Sequence, residues 1–207
     1  MFASLLKQAL EKNHLVLDES IQQKLIQYLE SMLEWNRVYN LTNITEPREM
    51  VYLHIIDSLS VNPFLNGKHM LDVGTGAGLP GIPLALINPD QTWTLLDKNS
   101  KKTRFLTQMI AELNIKNAEA IHSRSEDFHP SPCFDTIISR AFGSLELFTE
   151  TTGHLLCANG VWIAMKGKYP EEEIRDISNS PFRIEQVVKL EINGMDIERH
   201  LIKLKKE

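Results

Sequence analysis

The sequence predicts an α/β protein. Its core is a doubly wound, mostly parallel Rossmann-like sheet with an antiparallel hairpin at the C-terminal edge and a helical cap at the N-terminus. Three observations carry this reading. Strand-like and helix-like runs alternate from His69 onward, the pattern of repeated βα units with right-handed crossovers. A glycine loop, Gly74-Thr75-Gly76-Ala77-Gly78, separates the first strand from the first helix of that series, which sets a nucleotide-like ligand over the end of a parallel strand. Two strand-like runs in succession, Arg183 to Leu190 and His200 to Leu204 around Asn193-Gly194, then break the alternation.

Residues 1–60 read as helical. Ile21, Leu25, Tyr28/Leu29, Met32/Leu33 and Trp35 recur at the spacing of one helix face, with Asp18 as the N-cap. Thr45-Glu46-Pro47 marks another start, with Pro47 at the first helical position and Met50, Val51, Ile55 and Leu59 following. Residues 1–62 are expected to form a cap on a core spanning 63–207, the two joined near Asn62-Pro63. In that core, strands are expected at His69–Val73, Trp93–Asp97, Asn117–Ile121 (the weakest), Phe134–Ser139 and Gly160–Met165. Helices are expected after the glycine loop, over Thr103–Leu113 and over roughly Leu145–Leu156.

The chain has 207 residues, 43% hydrophobic and 24% charged, ordinary values for a globular protein with one sizeable core. Its first residues lack the charged and apolar regions of a secretory signal, and no run approaches the length of a membrane span. The net charge of −5 argues against coating nucleic acid by bulk attraction but leaves room for a local basic patch. Cys133 and Cys157, far apart and without CxxC spacing, fit a reducing compartment and give no metal site. The histidines show no HxxxH or HxH spacing, so no metal site is expected.

The glycine loop fits two registers. Gly76, Gly78 and Gly81 match the dinucleotide fingerprint, and with Asp97 they would suit an NAD-dependent oxidoreductase. Asp72, Gly74, Gly76 and Gly78 match the acidic-x-G-x-G-x-G loop of S-adenosylmethionine (SAM) methyltransferases. Asp72 favours the second: a pyrophosphate gains nothing from an anion there, whereas SAM carries an ammonium and a sulfonium. Asp97, about twenty residues beyond the loop at a strand end, can accept hydrogen bonds from a ribose. Ser125-Glu126-Asp127 follows the third strand, beside the expected adenine, or else caps a helix. Arg140 directly follows the fourth strand, where a guanidinium can hold a carboxylate or phosphate. Its structural alternative is a pairing with Asp72 or Asp135. Asp57-Ser58 reads as a helix-surface or packing pair.

Trp35-Asn36-Arg37-Val38-Tyr39-Asn40-Leu41-Thr42, His54-Ile55-Ile56-Asp57-Ser58, Asp72 through Pro83, Ile138-Ser139-Arg140-Ala141, Met165-Lys166-Gly167 and Glu198-Arg199-His200-Leu201 together resemble the signatures of the RsmG (GidB) methyltransferases. The resemblance covers nearly the whole chain. It implies a class I SAM-methyltransferase fold and methylation of nitrogen 7 of one guanine in bacterial 16S ribosomal RNA. It also implies a cytoplasmic location and SAM contacts at Gly74, Leu79, Ser125, Glu126 and Arg140. Guanine N7 has a free lone pair and no proton, so no general base is expected. Arg37, Lys166 and Arg199 are the expected RNA contacts, and the protein is expected to work as a monomer on 16S RNA or the small ribosomal subunit, away from membranes. A SAM-binding assembly factor that only docks on the ribosome is the rival from another class.

Overall fold

The computed structural model of the protein describes residues 1–140, 142–177 and 181–207; Ala141 of the Ile138–Ala141 motif lies outside them. The N-terminal region contains α1 (Phe2–Lys12), α2 (Glu19–Tyr39), α3 (Pro47–Met50), a π-helical turn over Val51–Ile56 and α4 (Asp57–Leu59). Pro47 opens α3 as expected, and the Glu46 side chain caps it by accepting the Glu49 N–H at 2.7 Å. Asp18 occupies the N-cap of α2 without a side-chain capping bond.

The sheet contains β1 (His69–Val73), β2 (Thr92–Asp97), β3 (Ala118–His122), β4 (Phe134–Arg140), β5 (Leu156–Lys166), β6 (Phe182–Lys189) and β7 (His200–Lys206). Their order is β3-β2-β1-β4-β5-β7-β6. The first five are parallel, while β7 runs antiparallel to both β5 and β6. Strand order reverses between β1 and β4, so their carboxyl ends form the crevice where such sheets bind ligands. The intervening helices are α5 (Gly81–Ile87), α6 (Ser100–Glu112), α7 (Leu145–Thr152) and α8 (Glu171–Ile177). β5 begins four residues before its expected start because the expected long helix ends in a short 3-10 turn, Gly153–Leu155.

Alternation along the strands supplies both faces. Met70, Leu95, Ile138 and Ile163 face one apolar cluster, and their neighbours Leu71, Leu96, Ile137 and Trp162 face the other. α5 and α6 cover the first face with Leu84, Phe105 and Met109. On the second face α7 and α8 contribute Leu145, Phe148 and Ile177. Leu25, Tyr28, Leu29 and Met32 of α2 belong to the same cluster as Leu95 and Phe105, so the cap shares the core of the sheet. It is also tied to the loop before β7. Asn13 and Asn193 exchange hydrogen bonds of 2.8 and 2.9 Å, and Arg48 donates to the Gly194 carbonyl at 2.6 Å.

The cysteines require a correction. Cys133 and Cys157 form a disulfide. They are distant in sequence, but the crossover through α7 sets the starts of β4 and β5 side by side, with Phe134 paired to Leu156. Spacing alone does not report strand adjacency. Reduction of this link is expected to lower the unfolding free energy by about 3.5 kcal/mol, the loop-closure value for a loop of this size. Urea unfolding with and without a thiol reductant reads it; a Cys133→Ser/Cys157→Ser variant should lose its response to reductant.

Candidate active site

The glycine loop is held from below by one carboxylate. Asp72 is fully buried, and its Oδ2 accepts the Thr75 hydroxyl at 2.7 Å and the Gly81 N–H at 2.8 Å. Through Oδ2 the Asp72 side chain braces the loop. Glycine is required where this packing is closest. A Cβ on Gly81 would come within 2.2 Å of Leu95 and 2.7 Å of Asp72 Oδ2, and one on Gly78 (φ +98°) within 2.6 Å of Ile82. From the cap, the buried Tyr28 hydroxyl donates to the Ala77 carbonyl at 2.6 Å. Asp97 supports the outer side, its Oδ2 accepting the Gly76 N–H at 2.9 Å and its Oδ1 the Asn99 N–H at 2.8 Å.

Two hollows flank the loop. One, of about 340 Å³, is lined by Gly74, Asp97, Lys102, Ser125, Glu126 and Phe142, among others. The other, of about 210 Å³, is lined by Thr42, Gly74, Gly76, Leu79, Lys102 and Arg140, among others. The structure thus brings together Gly74, Gly76, Leu79, Asp97, Ser125, Glu126 and Arg140 around one trough, with Lys102 on both sides. Ser125 is in a turn rather than capping a helix, and its hydroxyl donates to Glu126 at 2.9 Å. The Glu126 backbone N–H, and then that bond from Ser125, hold the Glu126 carboxyl below its ordinary range.

Arg140 pairs with neither Asp72 nor Asp135. Asp135 accepts the Lys68 and His69 N–H groups at 2.8 and 3.0 Å. Arg140 donates from Nη1 to the Leu53 carbonyl in the π-helical turn at 2.7 Å and lies 3.6 Å from Asp57. Asp57 is buried, as is Ser58, and it also accepts from Nε of Arg199 at 3.1 Å, so of the two readings the packing one holds and the helix-surface one does not. Burial raises its carboxyl pKa, opposed by Arg199 and then Arg140. His54, one turn earlier, is held neutral with a pKa of about 3, chiefly by burial and then by Arg140. The signal was present in the sequence: two ionisable residues three apart within an apolar helical run.

The expected RNA cations separate. Lys166 is committed to Glu173 at 2.7 Å and to the Gly143 carbonyl at 2.5 Å, which removes it as a free cation. Arg37 is exposed at the end of α2, and Arg199 is half-buried against Asp57. Tyr28, read only as a residue of the apolar helix face, and Phe142 are the site residues that motif reading passed over. Among the described residues no group of three or more His, Cys, Asp or Glu side chains could hold a metal, and no helix is long and apolar enough to cross a membrane.

Burial lifts the Asp72 pKa to about 7, against the Thr75 and Gly81 hydrogen bonds and the nearby Arg140. Between the unfolded value near 4 and about 7 the native state holds the extra proton, so this group lowers stability as pH rises. The Asp72→Asn variant should lose that slope. Relative to the unmodified protein it should gain up to roughly 1.4 kcal/mol per pH unit across this window, read by urea unfolding at pH 5, 6 and 7.

A sequence profile of the family described as rRNA small subunit methyltransferase G matches residues 21–202. The "Ribosomal RNA small subunit methyltransferase G" of Stutzerimonas stutzeri is 47% identical over 192 residues, covering 92% of this chain and 89% of that one. The protein of the same name from Laribacter hongkongensis is 45% identical over 199 residues, 96% of each chain. Among solved structures, a SAM-dependent methyltransferase from Aquifex aeolicus superposes with a TM-score of 0.61 at 16% identity, covering 80% of this chain and 96% of that one. That likeness bears on the fold alone.

Proposed function

The chain belongs to the rRNA small subunit methyltransferase G family, and on that premise we propose how its trough carries out the reaction. The enzyme transfers a methyl group from SAM to small-subunit ribosomal RNA. The observation that carries the site reading is the charge on either side of the glycine loop: Asp97 lines one hollow and Arg140 the other. Those charges suit the two ends of SAM. Asp97 would accept the ribose hydroxyls, since each carboxylate oxygen that holds a backbone N–H keeps another lone pair. Ser125 and Glu126 would meet the adenine beside Phe142. Arg140 would bind the methionine carboxylate, while Gly74, Gly76 and Leu79 would bring the backbone close. Gly78 and Asp72 support this loop from beneath.

SAM supplies an electrophilic methyl on a sulfonium. The acceptor is assigned as N7 of a single 16S guanine, in agreement with the family. N7 offers its lone pair without losing a proton first, so no side chain is assigned as general base. The protein's contribution is to hold donor and acceptor at attack distance and in line, a proximity effect worth several kcal/mol. Arg199 and Arg37 are assigned to the RNA, and few cations mean a shallow salt dependence. The enzyme is placed in the cytoplasm as a monomer, with residues 1–62 as a cap that does not fold alone.

Asp97→Ala should weaken SAM binding by about 1.5–3 kcal/mol, the scale for hydrogen bonds to a charged group; unchanged affinity by calorimetry would remove Asp97 from the site. The reaction itself is tested with labelled SAM and small ribosomal subunits from a strain lacking this protein. Label mapped to N7 of one 16S guanine is the expected result. SAM binding without transfer to subunits, assembly intermediates or naked 16S RNA would favour a purely docking role.

A further inference from the structure

Asp57 divides its carboxylate between two arginines from different elements. Oδ1 accepts from Nε of Arg199 at 3.1 Å, and Oδ2 lies 3.6 Å from Nη1 of Arg140. Arg140 closes β4 and lines the hollow beside Leu79, whereas Arg199 immediately precedes β7 and lies outside that hollow. The carboxylate is sealed at 2% side-chain exposure, but the arginine side chains are 27% and 24% exposed. The cluster holds two cations against one anion, so it presents positive charge outward.

The hydrogen bonds leave donors to spare. Arg140 uses Nη1 toward Leu53 and Asp57, and Arg199 uses Nε toward Asp57 and Nη1 toward the Glu198 carbonyl. A guanidinium carries five N–H donors, and it suits bidentate recognition of carboxylates and phosphates. Burying a charged carboxylate is also a poor route to stability, because desolvation offsets much of the attraction. What the arrangement does secure is geometry: one rigid helix start sets the position of two anion-binding groups. The π-helical turn before it adds the Leu53 carbonyl as a second hold on Arg140.

Building on the function proposed above, we propose that Asp57 is a positioning residue that fixes two anion sites relative to each other. It aims Arg140 at the carboxylate of the methyl donor and Arg199 at a phosphodiester of the RNA acceptor strand. A change at Asp57 therefore weakens both ligands, each through its own arginine.

A double-mutant cycle tests this. SAM affinity is measured by calorimetry and KM with small subunits lacking the modification, for the unmodified protein, Asp57→Asn, Arg140→Gln, Arg199→Gln and the two double variants with Asp57→Asn. Asp57→Asn should raise the SAM Kd and the RNA KM by about tenfold each. In the Arg140→Gln background it should no longer change the Kd, and in the Arg199→Gln background it should no longer change KM. Losses that multiply in the double variants, as a general folding defect produces, would overturn the proposal, as would no effect of Asp57→Asn on either quantity. Should Asp57→Asn fail to fold, Asp57→Glu, which keeps the charge but displaces it, carries the same cycle. If the unmodified protein binds SAM but transfers no methyl group, the assigned reaction fails, while the Kd half of the cycle still decides whether Asp57 acts through Arg140.

Discussion

The architecture of the site depends on the contact between Asp72 and the loop above it. A glycine-rich loop has many conformations open to it, and ordering it costs more backbone entropy than ordering other residues. Here the loop is fixed at its start by Thr75 and at its end by Gly81, both bonded to one carboxylate oxygen. Tyr28 and Asp97 hold the middle. The trough therefore exists as a shape before any ligand arrives. The carboxylate stays where it is at an energetic cost: it is wholly buried, and its Oδ1 has no hydrogen-bond partner among the described residues. Strain of this kind is tolerated at functional sites because the surrounding packing over-determines it.

The cap takes part in this arrangement. Tyr28 of α2 reaches the glycine loop, and the turn around Leu53 to Asp57 reaches Arg140 and Arg199. The helical region thus touches the site from two sides, one through a neutral hydrogen bond and the other through charge. The chain is acidic overall, with a net charge of −5. A net negative charge gives little nonspecific grip on a polyanion, which favours recognition of a shaped RNA.

Much of the fold was legible in the sequence. Period-two alternation with glycine punctuation located the strands, and the two final strand-like runs correctly signalled an antiparallel edge. Asp97, Ser125, Glu126 and Arg140 could be placed because doubly wound sheets put their ligands at strand ends. Partnerships between distant segments were not legible. Motif spacing located Asp72 but not its bonds to Thr75 and Gly81, since spacing does not report which loop atoms a strand-end side chain meets. Lys166 stood at a strand end like Arg140, yet Glu173 of α8, a helix that the sequence reading did not assign, neutralises it. Asp57 and the Cys133–Cys157 pair depend on neighbours brought in by long crossovers, which local patterns do not encode.

The hydrogen bonds joining Asn13 to Asn193, and the pair joining Asp57 to Arg199, span most of the chain. During synthesis, the glycine loop and its Asp72 anchor come from one short stretch and can meet as soon as β1 and α5 emerge. The cap meets the glycine loop early, through Tyr28 and Ala77, but its ties to the far edge come late. Its polar outer contacts must wait for residues beyond 190, whereas the apolar face of α2 can close once α5 and α6 have been made. The first sixty or so residues are thus buried early but locked in place last, when the polar ties to the far edge of the sheet close.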